Sequence, residues 1–155
     1  MVKESTSSAH KTKRCTLALI ETKQGYSTLR SSKDNPGINR HYSDYIEFVK
    51  SSGIEDFKND MLEIFKQKCI LGLINGINGK DDKLKVDKDT QFQLSKDIEF
   101  VVILANYKQA SDNLINELDE MPKDNVCKFS VSSFMGYGLF SKSIFDYTEF
   151  RKQIL

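Results

Sequence analysis

The 155-residue chain has no apolar run as long as the roughly 18 to 20 residues that a membrane-spanning helix needs. Its opening stretch, MVKESTSSAHKTKR, is polar and also lacks the apolar segment of a signal peptide. We therefore expect a soluble protein of the cytoplasm that has no membrane partner.

Cysteine and histidine are both scarce. The three cysteines, Cys15, Cys69 and Cys127, are far apart and form no Cys-x-x-Cys motif, which excludes a disulfide framework and a structural zinc site and predicts buried thiols. The two histidines, His10 and His41, leave few possible bases for a Ser-His-Asp or Cys-His hydrolase. Phosphate-loop, dinucleotide-binding, nucleophile-elbow and His-Glu-x-x-His motifs are absent as well.

The chain does have the material for a folded core. Hydrophobic residues make up 39% of it, with ten Phe and six Tyr, and the length suits a single domain over residues 1–155. Residues 1–50 contain nine Lys or Arg and five acids, a balance of +4 in a chain whose total is +1. A basic first third is compatible with a polyanionic partner, although an ordinary lysine-rich surface would look the same.

The hydrophobic pattern predicts strands that are separated by helices. Short apolar runs predict strands at 15–23, 98–105 and 126–132, and apolar residues at helical spacing predict helices at 38–50, 54–74 and 110–121. Residues 1–13 are expected to form a polar lead-in or hairpin, and residues 78–97 a mobile excursion. Acids of the last predicted helix are expected on its solvated face: Glu117, Asp119 and Glu120. This order predicts α/β layers with a partly parallel sheet.

An acid and an amine follow each other along the first predicted strand. Glu21 and Lys23 are two residues apart, so their side chains share one face of the strand while that of Thr22 points away. Burying this pair is costly unless the two groups pair with each other or bind an ion. A strand-end salt bridge and an ion-binding site both remain open.

The segment LALIETK, the polar loop after it and the amphipathic helix near Arg40 and His41 resemble the central part of the PD-(D/E)xK nuclease superfamily. That resemblance implies the restriction-endonuclease-like fold, an α/β three-layer core in which helices flank a central mixed sheet. It also implies Mg²⁺- or Mn²⁺-dependent hydrolysis of phosphodiester bonds in DNA, in defence, restriction or repair.

The resemblance also implies roles for individual residues. Glu21 would bind the metal ion together with the main-chain carbonyl of Thr22, and Lys23 would orient the attacking water and stabilise charge on the phosphate. The family expects an aspartate on the preceding strand, whereas residues 1–20 contain no Asp, and Glu4 is the single acid available for that place. The family's first helix also has no counterpart, so the chain could be a fragment, a subunit or a degenerate member.

His41 and Tyr45 lie one turn apart on the predicted helix. They resemble the Gln-x-x-x-Tyr pair that holds substrate in some exonuclease branches of the family, and Arg40 beside them could contact a phosphate. The alternative is that Tyr45 belongs to the core and His41 is merely exposed.

Three functions from different classes remain open. The leading interpretation is a metal-dependent endo- or exodeoxyribonuclease, acting as a homodimer or as a subunit of a larger nuclease. The alternative is a catalytically inactive nuclease-fold subunit for DNA binding or assembly. The third is a small α/β interaction module in which Glu21 and Lys23 form only a salt bridge.

Overall fold

A computed structural model describes residues 2–4, 12–25, 28–74, 90–124, 126–132 and 143–154. The chain divides into two compact units, a smaller one formed by residues 1–17 and 51–97 and a larger one formed by residues 18–50 and 98–155. The single domain expected over residues 1–155 stays a prediction. Within the described ranges, no helix is long and apolar enough to cross a membrane.

Groups of strands and helices follow one another along the described chain. The strands are β1 (Val2–Glu4), β2 (Thr12–Cys15), β3 (Ala18–Gln24), β4 (Gln91–Leu94), β5 (Glu99–Ala105), β6 (Cys127–Val131) and β7 (Ile144–Asp146). The helices are α1 (Ile38–Val49), α2 (Ile54–Ile70), α3 (Asp112–Glu120) and α4 (Tyr147–Ile154). The predicted α/β class is confirmed.

The larger unit is built on a mixed sheet with the strand order β3-β5-β6-β7. Strands β3, β5 and β6 are parallel, and β7 runs antiparallel to β6. The central strand β5, which is almost wholly apolar and buried, has a parallel neighbour on each side. Helices α1 and α3 lie in the connections that parallel strands require.

The strand expected over residues 15–23 is in fact two strands. Cys15 ends β2 of the smaller unit, Thr16 and Leu17 lie outside any strand, and β3 begins at Ala18. The main-chain N–H of Ser95 donates to the Cys15 carbonyl at 2.8 Å, which extends the pairing of β2 with β4 past the end of the strand. The apolar run from Cys15 to Ile20 therefore contributes residues to two different sheets, one that contains β2 and one that contains β3.

Aromatic residues form the core between α1 and the sheet. The ring of Phe100 on β5 lies 5.8 Å from that of Tyr42 and 5.2 Å from that of Tyr45, both on α1. Phe100 is the register partner of Leu19, and side chains alternate along a strand, so Leu19, Glu21 and Lys23 lie on the sheet face that α1 covers.

The smaller unit contains α2 and the sheet β1-β2-β4, in which β1 is antiparallel and β4 parallel to β2. Residues 5–11, between β1 and β2, lie outside the description, so the lead-in or hairpin expected over residues 1–13 stays a prediction. The prediction of a mobile excursion over residues 78–97 is wrong where residues 91–94 form strand β4. Residues 78–89 of that range lie outside the description. The alternation in Gln91-Phe92-Gln93-Leu94 is a strand pattern, and Phe92 packs edge-on against Phe65 of α2 at 5.4 Å.

The helix predicted over residues 54–74 ends at Ile70. Gly72 follows with a positive φ of 67°, its N–H donates to the Cys69 carbonyl at 3.0 Å, and the N–H of Leu73 donates to the Lys68 carbonyl at 2.9 Å. A glycine in this left-handed conformation is a common helix terminator, because it has no Cβ to clash with the backbone.

Candidate functional site

Glu21 and Lys23 meet on the buried face of β3. The Lys23 Nζ lies 3.3 Å from the Glu21 Oε1, and the Lys23 residue is only 5% exposed, whereas the Glu21 side chain is partly open to solvent. The shared face follows from the alternation of side chains along the strand. The two residues that the sequence singles out therefore form one ion pair.

The ammonium group of Lys23 also connects β3 to the loop before α1. It donates a hydrogen bond to the main-chain carbonyl of Pro36 at 2.5 Å. An ammonium has three N–H donors, and two of them are directed at Glu21 and Pro36. One donor remains without a partner among the described residues.

His41 completes the group from the first turn of α1. Its Nε2 lies 3.4 Å from the same Glu21 Oε1 that Lys23 contacts. We call Glu21, Lys23 and His41 the Glu21 cluster. It brings a carboxylate, an ammonium and an imidazole together at one partly exposed place.

A carboxylate from another helix fixes the position of α1. Glu117 on α3 accepts hydrogen bonds from the Ser31 N–H at 2.5 Å, from the Ser31 hydroxyl at 3.2 Å and from the Asn39 N–H at 2.8 Å. The Asn39 side-chain amide donates in turn to the Glu117 carbonyl at 2.9 Å. These bonds hold the loop and the first turn of α1, from which Pro36 and His41 reach the cluster.

The prediction that Glu117 lies on a solvated face is therefore wrong. Glu117 is 2% exposed, while Asp119 and Glu120 are exposed as expected and Asp119 pairs with Arg151 at 2.6 Å. The first N–H groups of a helix have no partner within the helix, and Gly37 at the start of α1 has no side chain to cap them. Glu117 supplies the missing acceptor, a role that helical spacing alone does not reveal.

Gly37 allows the loop to pack against itself. A Cβ atom at this position would lie 2.1 Å from the main-chain nitrogen of Ser31 and 2.4 Å from the main-chain carbon of Arg30. The N–H of Ile38 donates to the Leu29 carbonyl at 3.1 Å across the same contact. Only glycine fits here without moving the backbone.

Two of the predicted substrate-binding residues have other partners. Tyr45 is 5% exposed and its hydroxyl donates to the Ile98 carbonyl at 2.5 Å, so it belongs to the core. Arg40 is exposed, and its Nε lies 3.2 Å from the Asp44 Oδ1 on the next turn. Of the three predicted residues, only His41 reaches Glu21.

The described residues bring too few oxygen ligands together for a divalent-cation site. They contain no group of three or more His, Cys, Asp or Glu side chains that could hold a metal ion. Glu21 is the single carboxylate of its cluster, whereas Mg²⁺ prefers a set of oxygen ligands. Glu4, the proposed second acid, belongs to β1 of the smaller unit, and its side chain lies outside the description.

Near α1, a second polar group lies at the start of β6. The Tyr42 hydroxyl donates to Asp124, whose Oδ1 accepts the N–H groups of Val126 and Cys127 at 3.1 and 3.2 Å. Burial, and then the Asp124 carboxylate, raise the pKa of Tyr42 above its ordinary range. Burial raises the pKa of the Cys127 thiol to about 12, so this cysteine is a protonated core residue.

All three cysteines are buried, as the sequence predicts. Comparison with protein-family models, with curated proteins and with solved structures finds no match to this chain. The nuclease resemblance therefore depends on the residues of this sequence, and function must be inferred from the chemistry of the Glu21 cluster.

Proposed function

We propose that this chain is a nuclease-like α/β domain that hydrolyses phosphodiester bonds in DNA, with Glu21 and Lys23 as its central pair. The observation that carries the proposal is that two nitrogen atoms, the Lys23 Nζ and the His41 Nε2, both lie within 3.4 Å of the Glu21 Oε1. A carboxylate, an ammonium and an imidazole at one partly exposed place are the kinds of group that serve as ligand, acid or base in a reaction site.

Lys23 is suited to stabilise charge on a phosphate. Its ammonium is buried and positioned by the Pro36 carbonyl, so little reorganisation is needed when negative charge develops nearby. Its remaining N–H donor is available to a phosphate oxygen or to an attacking water molecule. A lysine held in this way acts as a fixed point charge.

Glu21 is the candidate ligand for Mg²⁺ or Mn²⁺. Its Oε1 faces Lys23 and His41, which leaves Oε2 without an ion-pair partner among the described residues. The complete site would need a second acid besides Glu21, and the described residues of the cluster do not supply one. The bound cation would supply an activated water and neutralise phosphate charge.

A second candidate function is favoured by one specific observation. The single described carboxylate of the cluster already faces two nitrogen groups, an arrangement that can hold the fold together without any metal ion. In that case the chain would be a catalytically inactive nuclease-fold subunit that binds DNA or takes part in assembly.

Incubation of supercoiled plasmid DNA with the purified protein and Mg²⁺ or Mn²⁺ tests the proposal. We expect nicking or degradation by the wild type, with a loss on the order of 10²-fold or more in Glu21→Gln and Lys23→Ala. The matched controls are Glu63→Gln and Lys66→Ala, which disrupt an exposed Glu–Lys pair of 2.6 Å on α2 and should leave the rate unchanged.

Each other outcome selects a different function. DNA binding by the wild type without metal-dependent cleavage would favour the inactive subunit. Neither binding nor cleavage would leave Glu21 and Lys23 as a salt bridge in an interaction module.

A further inference from the structure

The smaller unit contains a polar cavity of about 250 Å³ beside the carboxyl end of β4. Its lining comes from neighbouring parts of the parallel pair β2 and β4 and from the two residues that follow β4. The lining residues are Arg14, Gln93, Leu94, Ser95 and Lys96. The cavity belongs entirely to the smaller unit and shares no residue with the Glu21 cluster.

The backbone around this cavity is held by specific hydrogen bonds. Arg14 and Gln93 are register partners, and the Ser95 N–H continues the ladder to the Cys15 carbonyl at 2.8 Å. The hydroxyls of Thr16 and Ser95 are 3.0 Å apart. Lys58 of α2 donates a hydrogen bond to the Lys96 carbonyl at 3.3 Å. These bonds hold the main chain that carries Arg14 and Lys96.

The charge of the lining has one sign. Arg14 and Lys96 are its two charged residues, both exposed, and no acid is among the residues that line this cavity. Two cations that share one cavity repel each other, and a bound anion would remove that repulsion. Ser95 and Gln93 add a hydroxyl and an amide that can donate hydrogen bonds.

We propose that this cavity binds a phosphate group. The planar guanidinium of Arg14 can give two parallel hydrogen bonds to phosphate oxygens, and Lys96 supplies a second positive charge. The phosphate could belong to a nucleic-acid backbone or be free in solution, because the recognition chemistry is the same. The site does not depend on the Glu21 cluster and stands whether or not the chain cleaves DNA.

The first test compares two double variants that each remove two positive charges from the smaller unit. The cavity variant carries Arg14→Gln and Lys96→Gln. The α2 variant carries Lys66→Gln and Lys68→Gln, in the last turns of α2. Binding of a short fluorescent DNA duplex is measured by anisotropy over a range of salt concentrations, without divalent metal so that cleavage does not interfere. Thermal unfolding of each variant confirms that it is folded.

We expect the cavity variant to bind the duplex about tenfold more weakly than the wild type. The slope of log K against the logarithm of the salt concentration should be shallower by about 1 to 2. The α2 variant should retain most of the affinity and the wild-type slope.

The second test titrates inorganic phosphate into isotope-labelled protein and follows the main-chain NMR signals of Ser95 and Lys96. Saturable shifts that disappear in the cavity variant, with equal duplex affinity in the two double variants, would assign the site to a phosphate group free in solution. The same shifts together with the expected loss of duplex affinity would support a phosphate site open to both sources.

A duplex response without a response to inorganic phosphate would assign the site to the nucleic-acid backbone. Equal loss of duplex affinity in the two double variants, with no saturable response to inorganic phosphate, would overturn the proposal because general charge would then explain the binding. Absence of both duplex and phosphate binding in the wild type would overturn it as well.

Discussion

The carboxylate of Glu117 accepts a hydrogen bond of 2.8 Å from the main-chain N–H of Asn39 and thereby caps α1 from a different helix. A cap of this kind joins two elements that are far apart in sequence. It also makes the position of His41, two residues further along α1, depend on α3.

Replacement of Glu117 should therefore destabilise the larger unit. In Glu117→Gln the amide NH₂ group would face N–H donors, so at least one buried bond is lost, and we expect the free energy of unfolding to fall by about 1 to 3 kcal/mol. Urea unfolding followed by circular dichroism measures the change. Glu120→Gln is the control, because Glu120 lies exposed on the same helix and its change should be within about 0.5 kcal/mol. Equal effects in the two variants would contradict the capping role.

Replacement of Gly37 tests the close contact in the loop before α1. A Cβ there would meet main-chain atoms, which cannot rotate away, so Gly37→Ala should cost at least about 2 kcal/mol of stability. Gly53→Ala is the matched control because nothing lies within 4 Å of its Cβ position. The midpoint of urea unfolding reports both effects, and a Gly37→Ala protein as stable as the wild type would show that the contact is not tight.

Tyr45→Phe distinguishes a core residue from a substrate-binding residue. Loss of the hydroxyl leaves the Ile98 carbonyl without its 2.5 Å donor, and we expect about 1 kcal/mol less stability with unchanged DNA affinity. Thermal unfolding and duplex anisotropy on the same sample measure the two quantities. A tenfold loss of affinity at unchanged stability would restore the substrate role that the sequence predicts for Tyr45.

Stability should decrease at alkaline pH because of Cys127. Its thiol has an ordinary pKa of 9.0, and burial raises the pKa in the folded protein to about 12. Between these two values the unfolded chain releases a proton that the folded protein retains. The stabilisation is therefore complete below the lower value and declines as pH rises, by up to about 1.4 kcal/mol per pH unit.

Urea unfolding across this alkaline range measures the slope of stability against pH. Cys127→Ala removes the group, so its slope should be shallower than that of the wild type even though its stability at neutral pH is lower. Identical slopes would mean that other groups cause the alkaline loss.

The parts of the fold that the sequence predicts are those with a strong local pattern. The apolar run of β5 and the two-residue spacing of Glu21 and Lys23 led to a correct strand and a correct shared face. The break between β2 and β3 was missed because Leu17 is apolar and continues the run. Glu117 was missed because its partners, Ser31 and Asn39, come from a distant part of the chain.

The short elements β4 and α4 were missed for another reason. Four alternating residues in a polar segment give a weak signal, and α4 is only eight residues long. The start of α4 does have a local sequence signal, a pair of reciprocal hydrogen bonds. The Asp146 carboxylate accepts the Glu149 N–H at 2.8 Å, and the Glu149 carboxylate accepts the Asp146 N–H at 3.2 Å. This reciprocal cap could have been recognised from the Asp-x-x-Glu spacing.

The pairing of Ala18 with Glu99 has a consequence for how the protein folds. Strand β3 finds its only described neighbour, β5, after the chain has passed through the whole of residues 51–97. Closing so long a loop costs entropy before any ladder bond forms, so the sheet should assemble slowly compared with one built from hairpins. During synthesis β3 emerges long before its neighbour, so its ladder bonds can form only after residues 99–105 have been made.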